Sequence, residues 1–70
     1  MGNRPGEAIS LAQMSLLAEQ QGDLPLAVAR IEQAHQMFAE MGLAQTEQAR
    51  HDLDRLRHRL AEEGPDAPSG

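Results

Sequence analysis

Seventy residues leave room for one small domain, and a chain of this size buries so little of its surface that folding alone is marginal. There is no cysteine, so neither a disulfide nor a thiolate metal site can staple the fold, and oligomerisation or a larger parent chain is the expected source of extra burial. A formal charge of −5 argues against nucleic acid as a partner, because phosphate-binding surfaces need clustered basic groups that release counterions.

All six basic residues are Arg, with no Lys, beside many Ala, Gln and Leu; the bias suggests a high-GC bacterial coding sequence, and the lack of cysteine is compatible with a reducing cytoplasm. No apolar run approaches the roughly 20 residues that span a bilayer, and the first residues lack the charged-then-apolar pattern of a signal peptide. Met1-Gly2 is not followed by Ser or Thr at position 6, which is Gly6, so the myristoylation pattern is not met.

In chain order, residues 1–5 carry Gly2 and Pro5 and are expected to be a disordered lead-in. A first helix then starts near Gly6 or Glu7 and runs without Gly or Pro to Gln21, with Glu7 at the positive end of the helix dipole. Its apolar residues, Ile9, Leu11, Ala12, Met14, Leu16, Leu17 and Ala18, leave only a narrow polar strip of Ser10, Gln13, Gln20 and Gln21. A helix apolar over most of its circumference is normally covered on more than one side.

Gly22-Asp23-Leu24-Pro25 is the stop. Gly22 can adopt the left-handed conformation that ends a helix, Asp23 can cap the next, and Pro25 suits a first turn that needs no N–H. The second helix is predicted from Leu24 to about Met41, with a seam of Ala27, Ile31, Ala34, Phe38 and Met41 and a polar outer face of Arg30, Glu32, Gln33, Gln36 and Glu40. Gly42 caps it. A third helix, antiparallel to the second, begins between Leu43 and Thr46 and ends at Glu63, with Ala49, Leu53, Leu56 and Leu60 on its inner face. Residues 64–70, with two Pro and two Gly, are expected to be a disordered tail, leaving 6–63 as one domain.

Ser15, Ala18, Gly22, Asp23, Ala27, Ile31 and Ala34 fall where a tetratricopeptide repeat places small or apolar residues and its Gly-Asp turn, and the chain resembles that family over residues 11–41 and more loosely over 45–60. Gly-Asp followed four residues later by Ala is the most specific part. Leu11 stands where the repeat prefers an aromatic residue, Ala18 where it often has Tyr, and no Pro closes the unit near Ala39. The continuation Phe38-Ala39-Glu40-Met41-Gly42 is similar to longer repeat variants of bacterial regulatory proteins. The trio Leu11, Ser15 and Ala18 recurs 38 residues on as Ala49, Leu53 and Leu56, like the opening of a second, incomplete repeat. The resemblance implies an all-α fold, a helical hairpin plus a capping third helix, that binds protein. It places Ile9, Ala12 and Leu16, with Leu17 beside them, toward a ligand groove, and makes Gly22, Asp23, Ala27 and Ala34 the turn and close helix contact. Either the third helix closes over that groove or another chain covers it.

Other constellations carry weaker chemistry. His51, Asp54 and His58 share a helix face, but the surrounding arginines and the pairs Arg50–Asp54 and Arg59–Glu63 suffice as a solvated charged surface. Glu32 and His35 have the spacing of carboxylate-bridged di-iron bundles, yet the first helix supplies carboxylates only at its ends, Glu7 and Glu19. The serines at 10, 15 and 69 follow no glycine elbow, and no phosphate loop is present. Met14, Met37 and Met41 read as core filler ahead of an adaptable binding surface. The expected function is therefore a non-catalytic protein-protein interaction module with no cofactor or metal, cytoplasmic, and homodimeric through its first helix or bound to a helix or peptide of another protein. The alternatives are a two-chain metal-binding bundle using Glu32 and His35 or His51 and His58, and the C-terminal end of a longer repeat array.

Overall fold

The computed structural model describes residues 4–63, which form three α-helices and no strand: α1 (Arg4–Gln20), α2 (Leu24–Met41) and α3 (Gln45–Glu63). Both α1 and α3 pack on α2, so the fold is an antiparallel hairpin with a third helix on the hairpin's other flank, and α1 and α3 run parallel. The predicted ends of α2 and α3 hold. At the start of α1 the expected disorder of residues 4 and 5 is corrected: Arg4 and Pro5 are helical, because a proline in a first turn forfeits an N–H that would have had no partner. An ion pair at 3.0 Å between Arg4 and Glu40 joins this turn to the end of α2. Residues 1–3 of the expected lead-in and the expected tail, 64–70, lie outside the described residues.

Both turns are Schellman closures. Gly22, at φ +83°, donates its N–H to the Glu19 carbonyl while Asp23 donates to Ala18; Gly42, at φ +67°, donates to Ala39 while Leu43 donates to Phe38. Asp23 also begins α2. Its carboxylate accepts from the Leu26 N–H at 3.3 Å and its carbonyl from the Ala27 N–H at 3.0 Å. One residue thus ends one helix and starts the next, which fixes the angle of the hairpin.

The core is unequal across the three helices. α2 buries Leu24, Ala27, Ile31, Ala34 and Phe38, and α3 buries Ala49, Leu53 and Leu56, whereas α1 buries only Ala8, Ser15 and Ala18. Small residues on both sides let α1 and α2 approach until the Ser15 hydroxyl donates to the Ala27 carbonyl at 2.8 Å. In the same antiparallel register Ala8 comes level with Ala34 two turns away. Close approach through small residues leaves the large apolar side chains of α1 outside the contact, with Ile9, Met14, Leu16 and Leu17 all more than 40% exposed.

Candidate protein-binding groove

Two parallel helices resting on a third leave a furrow between them. Ile9, Ala12 and Leu16 form its α1 wall, Ile31 and Phe38 of α2 its floor, and Gln48, Ala49 and Asp52 of α3 the opposite wall, enclosing about 170 Å³. The floor is closed, with Ile31 and Phe38 2% and 3% exposed, while Ile9 and Leu16 are 42% and 46% exposed. The furrow is open, and α3 does not close over it. On its α3 wall Gln48 Nε2 donates to Asp52 Oδ1 at 3.3 Å, and Arg55 lies 3.9 Å from the same oxygen, so these polar groups engage one another and the surface of the furrow itself is almost wholly apolar.

Leu17 does not belong to this group. One residue past Leu16 is a further 100° around the helix, and Leu17, 54% exposed, does not line the furrow. Gly22 and Asp23 form the turn, the Ala27 carbonyl accepts the Ser15 hydroxyl of α1, and Ala34 is fully buried.

One end of the furrow is tied. Arg55 donates to both Glu19 oxygens, at 2.6 and 3.2 Å, and Arg59 donates to one of them at 2.8 Å, so one carboxylate of α1 holds two guanidinium groups of α3. The hydrogen bond from Arg55 is the main reason the Glu19 carboxyl lies below the usual carboxylate range; burial opposes this and the charges of Arg55 and Arg59 reinforce it. The same bond raises the Arg55 guanidinium. Nothing local in the sequence signals this clamp, since its partners are 36 and 40 residues apart.

A second, larger furrow of about 780 Å³ lies on the flank of the hairpin away from α3, between Glu7, Ser10, Leu11 and Met14 of α1 and Gln33, Gln36 and Met37 of α2. Here the core-filler reading of the methionines is corrected for Met14, which is 44% exposed, while Met37 and Met41 are half-buried against the core. The approach of α1 to α2 through Ala8, Ser15 and Ala18 leaves no gap for Met14 to fill.

The possible metal ligands are dispersed. Glu32 is engaged by Arg57 of α3 at 2.5 Å, His35 is half-buried on α2, and His58 pairs with Glu62 at 3.1 Å on the outside of α3. Of the predicted charge pairs, Arg59–Glu63 forms at 3.3 Å, whereas no ion pair joins Arg50 to Asp54. Among the described residues no group of three or more His, Cys, Asp or Glu is placed to hold a metal ion, and no helix is long and apolar enough to cross a membrane. Comparison with protein-family models, curated proteins and solved structures finds no match to this chain.

Proposed function

We propose that this chain is a non-catalytic protein-protein interaction module, of a tetratricopeptide-like kind, that receives an amphipathic helix or peptide in the furrow between α1 and α3 and also self-associates through α1. One observation carries the proposal: Ile9 and Leu16 stand more than 40% exposed above a floor of almost fully buried Ile31 and Phe38. Apolar residues around a furrow with a few polar groups at its rim are the usual makeup of a binding site. A space of about 170 Å³ suits one or two aliphatic side chains rather than a whole helix, so the contact is an anchor in a larger interface. The net charge of −5 favours a basic segment, with Leu or Ile at i and i+4 and an Arg or Lys beside them. A cytoplasmic bacterial setting is compatible with the cysteine-free chain and with its bias to Arg, Ala, Gln and Leu. Glu19, whose carboxyl lies below the usual carboxylate range, is held by two arginines as a tie between helices.

Titration of the isotopically labelled chain with short amphipathic basic peptides, followed by amide NMR, tests the furrow. Shifts should gather at Ala12, Leu16, Phe38, Gln48 and Asp52, and Leu16→Glu should abolish them. Shifts spread over the whole surface, or unaffected by Leu16→Glu, would remove the furrow as the binding site.

A further inference from the structure

We infer that a second copy of this chain docks on the outer flank of the α1–α2 hairpin, around Leu11, Met14 and Met37, in a two-fold dimer that leaves the α1–α3 furrow free. Leu11, Met14 and Met37 line one surface furrow there, together with the polar Glu7, Ser10, Gln33 and Gln36. Met14 lies two residues from both Ala12 and Leu16, or about 200° around the helix, so this flank and the α1–α3 furrow are separate faces of α1. Leu17, one turn beyond Met14, and Leu26, level with it across the hairpin, extend the strip and are 54% and 37% exposed.

The other side of the molecule decides how this strip can be covered. The exposed positions of α3 include Glu47, Arg50, His51, Asp54, Arg57 and His58, all charged or titratable. Set against Leu11, Met14 and Met37, such a face strands six charged or titratable groups, whereas pairing like with like strands only Glu7 of each copy, which disfavours head-to-tail stacking in a growing array. Pairing like with like remains, and a two-fold axis closes it after two chains. The area is adequate. Two helices of 17 and 18 residues, each about 10 Å across and rising 1.5 Å per residue, present a flat face of roughly 500 Å². A pair of such faces therefore removes on the order of 1,000 Å² from water, the lower bound for a specific interface. A domain this small, whose α1 buries no large side chain, gains from that cover.

The inference gives a face to the self-association proposed above and does not depend on what enters the furrow. Sedimentation at micromolar concentration should show a dimer for the wild type and for Leu16→Glu. Met14→Glu should be a helical monomer, its dimerisation weakened at least about 100-fold, because the two-fold places the buried charge in the interface twice. A second measurement does not require a charged variant to fold. A spin label at Ser10→Cys, unique in a cysteine-free chain, mixed with labelled wild type should broaden the amides of Met14, Gln33 and Met37 of the other copy and spare Gln48 and Leu53. A monomeric wild type, a Met14→Glu chain as dimeric as the wild type, dissociation by Leu16→Glu, or broadening centred on Gln48 would each overturn the inference. Loss of peptide binding in Leu16→Glu with the dimer intact supports both proposals, and a dimer with no peptide binding leaves only this one.

Discussion

Ser15 of α1 places its hydroxyl 2.8 Å from the backbone carbonyl of Ala27 in α2, a buried bond that only a small side chain opposite a small side chain permits. The Ala27 carbonyl can keep its helical bond when the hydroxyl is removed, so Ser15→Ala should cost only about 1 kcal/mol. Ala27→Leu should cost about 1–3 kcal/mol or more, since it drives the helices apart. Urea unfolding of the two variants measures the difference, and equal effects would mean that the contact is not close-packed.

Gly22 tests the turn in isolation. A Cβ built at Gly22 meets nothing within 4 Å, so any effect of substitution reports backbone strain at φ +83° rather than a clash. Gly22→Val should therefore destabilise by about 2 kcal/mol, and Gly22→Asn by less, because Asn tolerates the left-handed region. Thermal melts that do not separate Val from Asn would relocate the strain.

The Glu19 clamp gives stability a pH dependence. Its folded pKa lies below the ordinary 4.5, so this contribution is fully present above that value and is lost as pH falls through the lower, folded one. Below pH 4.5 the wild type should lose stability more steeply than Glu19→Gln, whereas at neutral pH the wild type should lead by roughly 1 kcal/mol, kept modest because Arg55 and Arg59 are about 40% exposed. Denaturation at a series of pH values reads both, and parallel curves for the two proteins would deny Glu19 this role.

Thr46 offers the opposite sign. Its hydroxyl oxygen is buried without a hydrogen-bond partner, so Thr46→Val, which keeps the shape and removes the unsatisfied group, should stabilise by about 1 kcal/mol. A loss of stability on chemical denaturation would show that the hydroxyl is bonded after all.

Phe38 is the only Phe, Tyr or Trp of the chain and the largest of the buried side chains of α2. Phe38→Ala removes about 3–5 kcal/mol, comparable to the whole stability expected of so small a core. The variant should show little helical circular dichroism at room temperature; a cooperative melt near that of the wild type would place the core elsewhere.

The seam of α2 is legible in sequence because its apolar residues recur at steps of four and three against a polar face, and the two turns are legible because glycine marks the left-handed position. α1 is less so. Ile9, Leu11, Met14, Leu16 and Leu17 are equivalent by hydropathy, and which of them is covered depends on the smaller Ala8, Ser15 and Ala18 that set the approach to α2. Hydropathy therefore groups Leu17 with Leu16, while the helix separates them by 100°. Pro5 reads as a break by residue type and is a first-turn residue by position. The bond from Arg55 to Glu19 crosses 36 residues and belongs to the tertiary register alone.

That α2 is the common partner of α1 and α3 also orders the life of the chain during its synthesis. Helices that pack on their neighbours in sequence fold in microseconds to milliseconds, whereas a ribosome adds about 5–20 residues each second. Any α1–α2 pairing formed on emergence waits on the order of a second or more for Leu53 and Leu56 to be made. Throughout that interval the α3-facing side of Ile31 and Phe38 is open, an apolar surface that stays uncovered until α3 is made.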